Sequence, residues 1–194
     1  GISSIDSYDG TSMAAPAVTG VFTLWQSYFN SVFTNQWMRS STVRALMAHT
    51  AKETGPAAGP DFMFGWGLID ADKGKQVMDN TVLELAKIAE IELKNSTTKE
   101  YEFSYTGVEP LVATIAWNDP AANANTNNNL DIPNLVNDLD LKIINVDTDE
   151  VFYPWSLIRQ ANIAHTSTSI AVNNVVNVRD NIEKVEVNST KAGN

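Results

Sequence analysis

Between Met13 and Phe29 the chain carries no Asp, Glu, Lys or Arg, and Val18, Val21, Phe22, Leu24, Trp25 and Phe29 fall on more than one helical face. That pattern predicts a helix buried on nearly all sides, with Ser12 near its N-terminus. Pro16 fits such a helix only in the first turn, where the missing N–H had no intrahelical partner to lose. After a polar break from Asn30 to Ser41, the spacing of Val43, Leu46 and Met47 predicts a second helix. Ser40 or Ser41 is its expected cap, and Gly55-Pro56 its latest stop. The two glycines of Phe64-Gly65-Trp66-Gly67 predict a tight turn or hairpin, and Asp70 is placed to cap a short helix reaching Met78.

From Thr81 the period changes to alternation. Expected strands are residues 88–93, 101–105, 111–117, 139–144, 151–153 and 182–187, separated by turn residues such as Asn95-Ser96-Thr97-Thr98. Short strands with no helix between them favour an antiparallel sandwich. The Asn-rich stretch 121–129 is too polar to pack and reads as a mobile surface loop. The fold class expected is therefore α+β, with a helical part over residues 1–79 and a β-sandwich over 80–194.

Charge supports this division. Residues 1–80 hold seven acids and five bases, whereas 81–194 hold sixteen acids and eight bases. The formal charge of −10 argues against nucleic acid or an anionic membrane surface as partner. No run of 18 apolar residues suggests a membrane span. Gly1-Ile2-Ser3-Ser4 has no basic n-region, so these residues are not expected to begin a signal peptide. The chain has no cysteine and hence no disulfide.

Candidate chemistry centres on Asp9-Gly10-Thr11-Ser12-Met13-Ala14-Ala15-Pro16. A hydroxyl at a helix start lies beside free N–H groups and the positive end of the helix dipole, which favour the charge of a tetrahedral acyl-transfer intermediate. The bland reading makes Ser12 an N-cap, the usual role of a serine before a helix.

The order Gly10-Thr11-Ser12-Met13-Ala14-x-Pro16 resembles the nucleophile motif of the subtilisin-like serine proteases. Ala17-Val18-Thr19-Gly20 departs from the family's His-Val-Ala-Gly, in which the histidine is structural. Phe64-Gly65-Trp66-Gly67-Leu68-Ile69-Asp70-Ala71 is similar to the family's Gly-x-Gly-x-Val-Asn-Ala segment, and the 43–54 helix falls in its expected place. Residues 1–79 thus resemble the C-terminal, helical piece of an α/β catalytic domain. Residues 80–194 resemble the jelly-roll-like sandwich that some subtilases carry after it. The matching pieces are Trp117-Asn118-Asp119-Pro120, Leu135–Leu141, Tyr153–Leu157 and Asp180–Val185. The family's Gly-Tyr-Thr and closing strand do not follow, so the sandwich reads as one strand short.

The resemblance implies a secreted endopeptidase that cleaves protein or peptide substrates through an acyl-enzyme on Ser12, with the Ser12 N–H in the oxyanion hole. A serine nucleophile also needs a histidine base and a carboxylate to orient it. In subtilases both precede the serine, yet no histidine stands before Ser12. Asp6 and Asp9 lie too near in sequence to be the triad acid, and the oxyanion-hole asparagine is absent. This chain alone is therefore expected to be inactive. His49, in mid-helix with no acid nearby, reads as a packed or surface residue.

Burying the six large apolar side chains of the 13–29 helix is worth roughly 10–15 kcal/mol. The helix is therefore expected to pack on the sandwich, on a second copy or on the missing part of the catalytic domain. An alternative function is a non-catalytic sandwich module carrying a degenerate protease remnant and binding calcium, glycan or protein. A standalone hydrolase of another fold is disfavoured because no Gly-x-Ser-x-Gly surrounds Ser12.

Residues 118–150 hold seven acids against Lys142, which makes Asp119, Asp138 and Asp140 candidate calcium ligands. Subtilases of this kind often bind calcium, although no EF-hand spacing is present. The competing reading has Asp138 and Asp140 on one face of a strand beginning there, hydrogen-bonding turn amides.

Overall fold

A computed structural model describes residues 9–124, 132–157 and 170–188. Most of the Asn-rich stretch, Asp131 and the end of the chain at Lys191–Asn194 lie outside the described residues, as do Gly1–Ser4 and Asp6. Among the described residues three helices form: α1 (Thr11–Val32), α2 (Ser40–Thr50) and α3 (Ala71–Val82). Four strands follow: β1 (Leu111–Ala116), β2 (Ile143–Ile144), β3 (Val151–Phe152) and β4 (Ile182–Val187). No helix among the described residues is long and apolar enough to cross a membrane.

Packing divides the chain into two units, Gly1–Met38 with Ala71–Ile88, and Arg39–Asp70 with Ala89–Asn194. Neither unit is continuous in sequence, because α2 leaves its sequence neighbours to pack on β1 and β4.

In the first unit α1 packs against α3. The Trp25 indole packs close to Gly74 and donates from Nε1 to the Ala71 carbonyl at 2.9 Å. Tyr28 donates to Asp79, which also pairs with Lys75 at 2.6 Å. Gln26 brackets Met38, accepting from its N–H at 2.9 Å and donating to its carbonyl at 2.8 Å. Trp25 and Phe29 are the buried residues of α1, whereas Thr11–Ala17 are exposed and Leu24 is 66% exposed. The expectation of burial on nearly all sides is corrected within this unit: one packing partner covers one face.

In the second unit β1 and β4 pair antiparallel, with Leu111, Ala113 and Ile115 opposite Val187, Val185 and Glu183. Alternation places these six on one face of the sheet, and Val112, Thr114 and Ala116 with Glu186, Lys184 and Ile182 on the other. His49 of α2 meets Thr114 on that second face, which identifies it as the face α2 covers. α2 buries Val43, Leu46, Ala48 and Thr50. Its N-cap is Arg39, with no side-chain cap; Ser40 Oγ instead accepts from Asn118 Nδ2 at 2.9 Å. The helix ends before Gly55-Pro56 because Lys52 pairs with Leu68 through two backbone hydrogen bonds.

The hairpin expected around Gly65 and Gly67 is present. Asp61 and Gly65 exchange N–H···O bonds at 3.0 Å, and Asp61 Oδ1 accepts from Met63 and Phe64. At Gly67, with φ +103, a Cβ would meet the Lys52 carbonyl oxygen at 2.2 Å. α3 runs one turn past Met78 and closes where Glu84 takes φ +60 and Leu85 bonds the Asn80 carbonyl.

Two expected strands do not form. Residues 88–93 and 101–105 join no ladder, and every residue from Ala89 to Ser104 is exposed. Alternation gave them a buriable face, but no strand among the described residues pairs with them. The 139–144 strand shrinks to Ile143–Ile144 because the Leu141 N–H is taken by the Glu183 carboxylate at 2.6 Å. β2 and β3 form a second two-stranded antiparallel sheet, so the strands among the described residues make two small sheets.

Candidate active-site serine and the acidic cluster

Gly10 occupies the N-cap of α1 at φ 142 and ψ 173, and its carbonyl accepts from the N–H groups of both Met13 and Ala14 at 3.1 Å. Thr11 and Ser12 therefore stand in the first turn with N–H groups that have no intrahelical acceptor. Ser12 is not the cap, and no side chain caps this helix. Among the described residues the Ser12 hydroxyl has no hydrogen-bond partner, and the residue is exposed. The N-cap reading thus fails, leaving an uncommitted hydroxyl at an open helix start.

Pro16 lies five residues after the first helical position, later than the first turn expected for it. Its missing N–H is the one that would bond the Ser12 carbonyl, four residues back. The disruption therefore falls in the first turn, where the helix is already incomplete. Thr11, Met13 and Ala14 share that exposed turn.

His49 belongs to the second unit and does another job. Its Nδ1 lies 3.0 Å from Thr114 Oγ1, tying α2 to β1. Burial and the nearby Lys184 ammonium push its pKa down to about 4, against a smaller opposing pull from Glu186. The ring is neutral at neutral pH and is packed, as the sequence suggests.

The aspartates behave as individual groups. Asp119 accepts from the N–H groups of Val136 at 2.6 Å and Asn137 at 2.9 Å, and from Asn137 Nδ2 at 2.9 Å. Burial works to raise its pKa, but the three donors outweigh this and hold it below the usual carboxylate value. Turn-amide bonding was the competing reading for Asp138 and Asp140; the aspartate that makes such bonds is Asp119, for which it was not expected. Asp138 is shifted upward by desolvation and by the charge on Asp140. Among the described residues no three His, Cys, Asp or Glu side chains are grouped so as to hold a metal ion.

One acid escaped the sequence reading. Glu183 sits in β4 on the face of Val185 and Val187 and is fully buried. Its Oε2 accepts from Leu141 N–H, while its Oε1 has no partner. Desolvation, reinforced by Asp140, Asp138 and Asp180, pushes its pKa up to about 8 despite the opposing Leu141 bond. The signal was available: in Ile-Glu-Lys-Val-Glu-Val, period two puts Glu183 on the apolar face.

Comparison with known proteins places the serine segment in context. The 64 residues that align with the Neisserial autotransporter lipoprotein NalP of Neisseria meningitidis serogroup B, strain ATCC BAA-335 / MC58, are 41% identical. They make up 33% of this chain and 5% of that protein. The NalP of serogroup B, serotype 15 strain H44/76 matches equally, over the same share. This chain thus spans a small part of the length of the curated relatives it matches. No solved structure matches. The model of the Subtilase family, Peptidase_S8, matches residues 2–67, the stretch that holds Ser12, α2 and the Gly65-Trp66-Gly67 hairpin.

Proposed function

We propose that Ser12 is the acylating nucleophile of a subtilisin-like serine endopeptidase acting on protein or peptide substrates. The observation that carries this reading is the exposed, unpartnered hydroxyl in the first turn of α1, inside the segment that matches the subtilase model. In that role Ser12 Oγ attacks the scissile carbonyl, and its own N–H donates to the oxyanion. Gly10 keeps the approach open: a Cβ built there meets no atom within 4 Å.

On the chain order that the resemblance implies, the base and the acid that orients it precede Ser12, while His49 is engaged with Thr114. These 194 residues by themselves are then inactive, because a triad acts as a unit and loses nearly all its rate without the base. Incubation of the purified chain with a fluorophosphonate should leave Ser12 unlabelled by mass spectrometry. Stoichiometric labelling would show that the chain completes its own site. In a longer product containing an upstream Asp and His, Ser12→Ala should abolish peptidase activity. Retained activity would remove Ser12 from the mechanism.

We read residues 80–194 as a jelly-roll-like sandwich on the strength of the four motifs quoted above. The uncovered face of α1 belongs, on this reading, against the remainder of the catalytic domain. Extracellular placement is supported by the likeness to NalP, an autotransporter lipoprotein.

A further inference from the structure

Within the second unit a cleft of about 100 Å³ lies between the segment that follows α2 and the residues Trp155, Lys184 and Glu186. Two indole rings, Trp66 and Trp155, and three charged side chains, Glu53, Lys184 and Glu186, line it. Trp155 is held at three points. Its N–H donates to the Lys184 carbonyl at 2.9 Å, its Nε1 donates to Glu186 Oε2 at 2.7 Å, and its ring packs on Gly59. A Cβ on Gly59, where φ is +85, would meet that ring at 2.6 Å, so the close contact requires glycine. Trp66 stands in the hairpin between two glycines of positive φ, Gly65 and Gly67.

The charges in the cleft do not cancel. Lys184 Nζ pairs with Glu186 Oε1 at 2.8 Å, which accounts for one acid. Glu53 is left over. Its Oε1 accepts from the N–H groups of Thr54 at 2.8 Å and Gly55 at 2.7 Å, and its Oε2 makes no hydrogen bond among the described residues. One excess negative charge beside two aromatic rings suits a cation, because the ring faces and the carboxylate attract positive charge together. An anion is disfavoured, since Lys184 is already paired and two carboxylates oppose it.

We propose that this cleft binds the side chain of a Lys or Arg residue carried by a partner polypeptide. Its volume takes an ammonium or guanidinium group with a few methylenes, and is well below the roughly 300–1,000 Å³ of sites for drug-sized ligands. A free amine of that size binds weakly, because affinity is bounded per atom. The same cation on a polypeptide gains further contacts around the mouth of the cleft. A formal charge of −10 on the chain also draws a basic segment toward it. The Trp155 ring is already fixed, so little binding energy goes into ordering the site. The cleft is independent of Ser12 and of the acyl chemistry proposed for it.

Titration of the 194-residue chain with the peptide acetyl-Gly-Gly-Arg-Gly-Gly-amide, followed by the indole N–H signals in proton–nitrogen correlation spectra, tests this. Trp66→Phe and Trp155→Phe assign the two reporters. Their signals should move on titration, while those of Trp25 and Trp117, bonded to the Ala71 and Asn137 carbonyls, should stay in place. The lysine version of the peptide should move the same two signals. A citrulline version has the shape of arginine without its charge and should bind about tenfold more weakly. Glu53→Gln keeps an oxygen for the Thr54 and Gly55 N–H groups, and should weaken the arginine peptide about threefold with the other indole signals unchanged. Still signals at Trp66 and Trp155 in about 10 mM arginine peptide overturn the proposal. Equal binding of the citrulline peptide, or undiminished binding by Glu53→Gln, overturns it as well.

Discussion

Gly74 shows how one residue without a side chain can fix a helix pair. A Cβ built on it would meet the Trp25 ring at 2.3 Å, and the indole is held in place by its bond to the Ala71 carbonyl. Two effects compete in Gly74→Ala. Alanine gains about 1 kcal/mol of helix propensity over glycine. Overpacking against a fixed ring costs about 1–3 kcal/mol. Because the ring cannot withdraw without breaking its hydrogen bond, the clash should win, with a net loss of roughly 1 kcal/mol. Urea unfolding followed by Trp25 fluorescence would register it, and a more stable variant would show that the indole moves freely. The sequence gives no hint of this contact, since a glycine in a helical pattern signals only local cost. The same limit applies to Ser12. Its motif identifies the residue type and neighbourhood, whereas the open first turn and the glycine cap emerge only from the fold.

At the scale of elements, periodicity located what an element could bury, and the structure shows what it does bury. β4 forms at the residues its alternation marks, because β1 lies beside it to take up its backbone groups. Residues 88–93 and 101–105 have an equally regular alternation but no such strand beside them among the described residues, so they join no ladder there. A strand is a property of two segments, and one segment's pattern cannot reveal whether the other is present. α1 repeats the lesson for helices. Its uncharged run marks a helix able to be buried all round, yet α3 covers only the face of Trp25 and Phe29. Leu24 at 66% and Met13 at 44% exposure are left on apolar surface that gains about 25 cal/mol per Å2 when covered. With no other protein present, a second copy is the available cover. Sedimentation should therefore show weight-average mass rising with concentration, and Leu24→Glu should shift the curve toward monomer. A concentration-independent monomer would sink the idea that this surface seeks a partner.

For the molecule as a whole, two desolvated ionisable groups in the second unit set opposing dependences of stability on pH. His49 has its pKa lowered to about 4 from 6.5, so between those values the unfolded chain binds a proton that the folded chain does not. Stability from this group rises with pH through that window and is constant above it. Glu183 has its pKa raised to about 8 from 4.5, so between those values the folded chain holds a proton that the unfolded chain has released. Its contribution falls as pH rises through that wider window and is constant above it. One proton difference corresponds to about 1.4 kcal/mol per pH unit, so where the windows overlap the two slopes nearly cancel. These groups together predict a plateau from about pH 4.5 to 6.5 and a decline from there to about pH 8. Glu183→Gln tests the assignment. The amide oxygen can still accept from Leu141, and its NH2 can donate toward the neighbouring aspartates. Urea midpoints of that variant should lose the decline above pH 6.5, uncovering a rise between pH 4 and 6.5 that His49 supplies. Profiles for the variant and the parent chain that run parallel from pH 4.5 to 8 would mean that Glu183 ionises normally, and that water reaches its unpartnered oxygen.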